Sequence, residues 1–135
     1  MSISTYGMIV IGFSVVVALT GCAAKSTTKL VSKSQEPFAR HHEPVCMIRS
    51  PLPSNIGYTV VGEVRGGKKT YGSVNEVLPV MADEAREIGA DAIINLQTSH
   101  QIGPWAWARP VGSGTAVRLN NRGNFNCASH GGELR

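Results

Sequence analysis

Residues Met8–Leu19 read MIVIGFSVVVAL, twelve positions without a charged side chain, and no other stretch constrains the fold so strongly. A helix crossing a bilayer core takes about 20 apolar residues, whereas the apolar centre of a secretory leader takes roughly 7 to 15, followed by small side chains at a cleavage point. This run has the second length. It therefore contributes nothing to a folded core, and roughly 110 residues remain, enough for one small domain. The 42% hydrophobic and 16% charged content excludes a charged disordered chain. Three cysteines and 15 glycines are too few for a disulfide-dense miniprotein or a collagen repeat.

The run is followed by Leu19, Thr20, Gly21 and Cys22, which resembles the bacterial lipoprotein lipobox, a hydrophobic residue and two small ones before an acceptor cysteine. A peptidase at the membrane surface needs small side chains beside the scissile bond, and the thiol supplies the nucleophile for acylation. The resemblance implies a signal peptide over 1–21, with Cys22 as the first mature residue and the site of lipid attachment. It further implies a diacylglyceryl thioether on the sulfur and an acyl group such as palmitate on the amine, a durable anchor at about 0.8 kcal/mol per buried CH₂. No other cofactor is expected. Met1–Gly7 carries no Lys or Arg, so the positive charge of the leader rests on the terminal amine. The bland alternative is an uncleaved anchor with an ordinary buried Cys22. In the lipoprotein sorting rule an aspartate after the lipidated cysteine favours inner-membrane retention; Ala23 stands there, which points to the outer membrane, facing the periplasm.

Residues 22–43 turn to Ser, Thr, Lys, Gln and His with no sustained apolar period, the composition of a flexible tether of roughly 75 Å when extended. Lys25, Lys29, Lys33 and Arg40 stand against Glu36 alone up to residue 40, so most of the formal net charge of +4 lies here. A basic segment beside an anionic lipid surface is weakly attracted to phosphates; plain solubilising charge is the alternative. The domain, 44–120, is nearly neutral, which removes the electrostatic footprint of nucleic-acid binding.

Within it, Tyr58–Val64 (YTVVGEV) is rich in β-branched residues and reads as a strand, with Gly66-Gly67 as the turn that ends it. Ser73 and Glu76 have capping-box spacing, yet Pro79 would remove a backbone donor from a helix already running there. The main helix is placed from about Pro79 to Ile88, after a looser turn, with Leu78, Met81, Ala85 and Ile88 forming one buried stripe and Gly89 the stop. Ala92–Thr98 then alternates with Ala92, Ile94 and Leu96 on one face, and Thr115–Leu119 alternates with Thr115, Val117 and Leu119. A short strand near Val45–Ile48 completes an α+β arrangement, a small mixed or antiparallel sheet with one main helix. Residues 121–135 lack an apolar period and read as a polar tail.

The segment from Ala85 through Gly89, Ala90 and Asp91 to Ile94 resembles the helix-to-strand signature of the YbjQ-like and RcsF-like small domains. Ser113–Val117 (SGTAV) is similar to a strand opening of the YbjQ-like family. The resemblance implies a small α+β domain. YbjQ-like domains tend to form rings through their sheets, and RcsF-like proteins are outer-membrane lipoproteins that sense envelope damage. Neither implication reaches a catalytic residue. Asp91 has a plain structural use in the turn that launches the next strand.

With Cys22 lipidated, Cys46 and Cys127 form an even remainder in an oxidising compartment, the pattern of one disulfide pinning the tail to the domain. Unpaired thiols or pairing between chains are the alternatives. RcsF-like domains carry two disulfides and this chain has thiols for one, so the resemblance does not carry over a redox-sensing role. A sharper rival draws His41, His42 and Glu43 with Cys46, Cys127 and His130 as a soft-metal site. Structural zinc sites usually show two tight ligand pairs, so no metal ligand is assigned. Trp105, Trp107 and Arg109 are the candidate partner-binding residues: an exposed aromatic platform with a polar anchor, or alternatively a cover for the small sheet. No nucleophile elbow, HExxH or phosphate-cradling loop is present, and Ser129-His130 lies in the polar tail. The expectation is therefore a noncatalytic, lipid-anchored envelope module for interaction or stress sensing, in contact with the membrane and with an envelope protein. A structural homo-oligomer is the alternative, with a metal-binding protein or an enzyme behind it.

Overall fold

The computed structural model describes residues 23–30 and 38–135; the apolar run, Cys22 and residues 31–37 lie outside the described residues, and with them the leader and lipid-attachment expectations. Strands β1 (Lys25–Leu30), β2 (Cys46–Met47), β3 (Tyr58–Gly67), β4 (Ala92–Gly103), β5 (Ala106–Leu119) and β6 (Glu133–Leu134) form one sheet in the order β1-β3-β5-β4-β2-β6. Only β2 and β4 run parallel; the other pairs are antiparallel. Among the described residues one α-helix, α1 (Leu78–Glu87), packs on the sheet, so the fold is α+β with a small mixed sheet. Among the described residues no helix is long and apolar enough to cross a membrane.

Local chemistry accounts for α1. The capping box at Ser73 and Glu76 is present, but it caps a single 3-10 turn, Val74–Glu76, after which α1 begins with Pro79 in its first turn, where a missing N–H costs nothing. The helix ends in a Schellman motif. Gly89 at φ +75° donates to the Arg86 carbonyl at 3.1 Å, and Ala90 donates to Ala85 at 2.8 Å. The buried face carries Leu78, Met81, Ala82 and Ala85, with Ile88 partly buried beside it.

Beneath the helix, Gly66 of β3 and Gly112 of β5 are register partners. A Cβ on Gly66 would lie 2.6 Å from Val77 Cγ1, and one on Gly112 would lie 2.7 Å from Met81 Sδ. The two glycines make a bare backbone floor on which the start of α1 rests. Gly66-Gly67 is therefore the end of a ten-residue strand and not the turn expected there.

The expected alternation of Ala92, Ile94 and Leu96 fails at Asn95, whose φ of +52° marks an irregularity between Ile94 and Gln97. This turns Leu96 to the helix side with Ile93, while Ala92 and Ile94 face a second core. That core holds Ile48, Leu52, Val117, Leu119, Cys46 and Cys127, so the start of β4 is covered on both faces. β4 and β5 also run much further than the short strands expected.

The segment expected to be a tether is built into the domain over its described residues. β1 pairs along β3 from Lys25 opposite Gly67 to Leu30 opposite Gly62. Ser26 Oγ donates to the Arg65 carbonyl at 3.0 Å and Thr28 Oγ1 to Glu84 at 2.6 Å. An edge strand is held by its backbone ladder, and outward lysines suit it, so it needs no apolar period. Further on, Arg118 stacks over Phe38 at 5.5 Å, and His41 N–H donates to the Arg86 carbonyl at 3.3 Å. The tail is equally engaged: Val45 and Arg135 exchange backbone hydrogen bonds at 2.8 and 3.0 Å, and β6 extends the sheet beyond β2.

Candidate functional site

Lys25, Gly67, Val111 and Ser99 lie in one row across the sheet, and past that row β4 and β5 continue alone as a two-stranded projection. His100 pairs with Pro110, Gln101 with Arg109, and Gly103 with Ala106, with Pro104 and Trp105 in the connecting turn. Among the described residues, the three most exposed large apolar side chains are all at this tip: Ile102 at 85%, Trp107 at 83% and Trp105 at 74%. The cover-for-the-sheet alternative for the tryptophans is thus overturned, because only Ala106 and Pro110 of this stretch turn inward.

The projection is braced from one side by the loop after β3. Lys68 N–H donates to the Pro110 carbonyl at 3.0 Å, His100 Nε2 to the Gly72 carbonyl at 3.0 Å, and Trp107 N–H to the Tyr71 hydroxyl at 3.3 Å. Lys68 Nζ bonds Glu76 at 2.6 Å; this bond, and the Ser73 N–H at 2.8 Å, hold the Glu76 carboxyl below its ordinary value of 4.5. Arg109 bonds Gln101 at 3.3 Å, lying along the tip with no carboxylate against it among the described residues. Sequence reasoning found Trp105, Trp107 and Arg109 but missed Ile102 and Tyr71. The signal for Ile102 was the Gly103-Pro104 turn immediately after it, which places it beside the tryptophans.

On the sheet face away from α1, Arg65, Gln97, Ser99, Gln101, Val111 and Ser113 line an open polar depression of about 410 Å³ next to the projection. A larger hollow of about 650 Å³ lies in the tail over residues Gly123–Leu134 and brings together none of the expected site residues except Cys127.

Asp91 is buried at 3% exposure, and its Oδ2 accepts from the Leu119 N–H at 3.0 Å. Arg118 Nε lies 3.6 Å and Arg122 Nη1 3.3 Å from its carboxylate oxygens, and Arg122 also pairs with Glu43. His41 donates to the Ala90 carbonyl at 2.7 Å beside it. The carboxylate ties the segment before β2, the end of β5 and the tail together, which extends the turn role expected for it.

Cys46 and Cys127 are bonded to each other and buried within the second core. Both sulfurs drawn for a metal site are therefore spent. Of the other residues in that drawing, His41 is engaged at Ala90, Glu43 at Arg122, and His130 stacks on Phe125 at 5.0 Å. The neighbouring Ser129 hydroxyl donates to the Asn126 carbonyl at 2.8 Å rather than to a histidine. No family model, curated protein or solved structure matches the chain.

Proposed function

We propose that this chain is a lipid-anchored lipoprotein of the bacterial envelope, held through Cys22, whose α+β domain is noncatalytic and acts by surface contact at the β4–β5 tip. The observation that supports it best is the concentration of Ile102, Trp105 and Trp107 on one braced projection beside Arg109. Large apolar side chains held in water on a rigid support are the ordinary signature of a contact surface. The lipobox-like Leu19–Cys22 supplies the address, and the buried Cys46–Cys127 disulfide fits an oxidising compartment. The YbjQ-like and RcsF-like resemblance belongs to the same reading, with envelope-stress sensing as the role and an outer-membrane location facing the periplasm. Cys22→Ser tests it: the unsubstituted protein is expected in the membrane fraction with a mass that includes the lipid, and C22S unprocessed or released. Equal processing and fractionation of the two would overturn the reading.

A further inference from the structure

We propose that the β4–β5 tip docks into the lipid interface of the same membrane that holds the acylated Cys22, so that the domain is fixed against the bilayer at two points. This rests on the lipid-anchor reading above. The first argument is placement. β1 enters the sheet at Lys25, in the row of Gly67, Val111 and Ser99, and runs away from the projection. The chain therefore arrives at the end of the sheet from which the tip projects. Gly103 lies four residues past Ser99, about 13 Å along the strand. Cys22 precedes Lys25 by three residues, at most about 11 Å of chain. A lipid on Cys22 and the side chains of the tip can thus reach one plane.

The second argument is chemistry. Tryptophan rings favour the boundary between acyl chains and headgroups, where an apolar body and an N–H are both satisfied, and Ile102 supplies purely apolar area between them. The span Ala92–Leu119 contains Arg109 and Arg118 and no Asp or Glu. Lys25 and Lys69 flank the tip as exposed cations, and the acidic residue braced nearby, Glu76, is neutralised by Lys68. The acidic residues of α1, Asp83, Glu84 and Glu87, lie in its second half, away from the Gly66 and Gly112 floor. The tip end is complementary to anionic phosphate headgroups, and weak anchoring by one apolar group becomes stable when a second signal is added.

The chain has two tryptophans, both at the tip, so fluorescence excited selectively in tryptophan, where the three tyrosines do not absorb, reports this site alone. The acylated protein is incorporated into vesicles of phosphatidylethanolamine and phosphatidylglycerol with brominated acyl chains. Docking is expected to blue-shift the emission relative to mature-length C22S in buffer, to quench it by at least about half, and to shield it from iodide. Unquenched, iodide-accessible emission from vesicle-bound protein overturns the proposal, as does shielding that appears only in native membranes and crosslinks the tryptophans to a protein. Unacylated C22S of mature length is tested in parallel by flotation with the same vesicles. It is expected to bind in a salt-sensitive manner and to lose at least about tenfold in affinity on Trp105→Ala with Trp107→Ala, both exposed positions outside the core. No difference between the two also counts against docking. An unsubstituted protein whose mass shows no lipid refutes the anchor instead, and the C22S arm still decides the tip.

Discussion

Removing the Cys46–Cys127 bond should cost this domain a large share of its stability. The bond closes a separation of 81 residues, for which the chain-entropy treatment of the unfolded state gives about 4.5 kcal/mol. A domain of this size holds roughly 5 to 15 kcal/mol in total. The structure shows why the native side adds to the loss when both cysteines become alanine. The sulfurs sit in the second core with Ile48 and Gly132 against them, and removing both leaves a void worth about 1 kcal/mol or more. It also shows what survives: β2 still pairs with β6, Val45 with Arg135, and Arg86 still donates to the Arg135 carbonyl at 2.9 Å. The tail should therefore stay docked in the native state, with the penalty appearing as a lower unfolding midpoint. Urea titration followed by far-ultraviolet circular dichroism is the suitable assay, since the exposed tryptophans report the tip and not the core. Oxidised, reduced and C46A/C127A proteins should unfold in that order of decreasing resistance, the reduced form shifted by about 2 M for a slope near 2 kcal/mol/M. A reduced protein within about 1 kcal/mol of the oxidised one would refute the loop-closure reasoning.

Further substitutions probe the local arguments. Gly66→Ala should destabilise by about 1 to 3 kcal/mol, because its Cβ meets the buried, branched Val77, whereas Gly67→Ala, whose nearest neighbour is 3.5 Å away, should stay within about 0.5 kcal/mol; paired urea titrations compare them. Asp91→Asn should cost about 1 to 3 kcal/mol, since the buried acceptor of Leu119 N–H loses its charge beside Arg118 and Arg122; an unchanged midpoint at pH 7 would remove the clasp role. Because Glu76 is held below its ordinary 4.5 in the folded chain, its contribution is present above that pH and fades as pH falls through the lowered value. Glu76→Gln should therefore flatten the acid limb of the stability profile, and an identical profile would count against the Lys68 and Ser73 bonds.

Local rules were enough for much of this molecule. The start of α1 at a proline, its stop at Gly89, the β-branched strand from Tyr58 and the partnership of Cys46 with Cys127 each rest on neighbours in sequence or on counting thiols, and the structure contains all of them. At the site, Trp105, Trp107 and Arg109 stood out by residue type, but their exposure depended on how far β4 and β5 outrun the strands beside them, which is a matter of relative length.

Other features are invisible to periodicity for a definite reason. Lys25–Leu30 has no apolar face because an edge strand is held through backbone hydrogen bonds that every residue type can make, so its composition is that of a linker. Asn95 reverses the facing of β4 through one backbone angle, which no side-chain pattern announces. Gly66 resembles a turn until α1 is laid over it. The side chains along a segment record its local conformation, whereas the partner of a strand, the place of a bulge and the end of the sheet at which the chain enters are set by contacts between distant segments, each needing the others in place first.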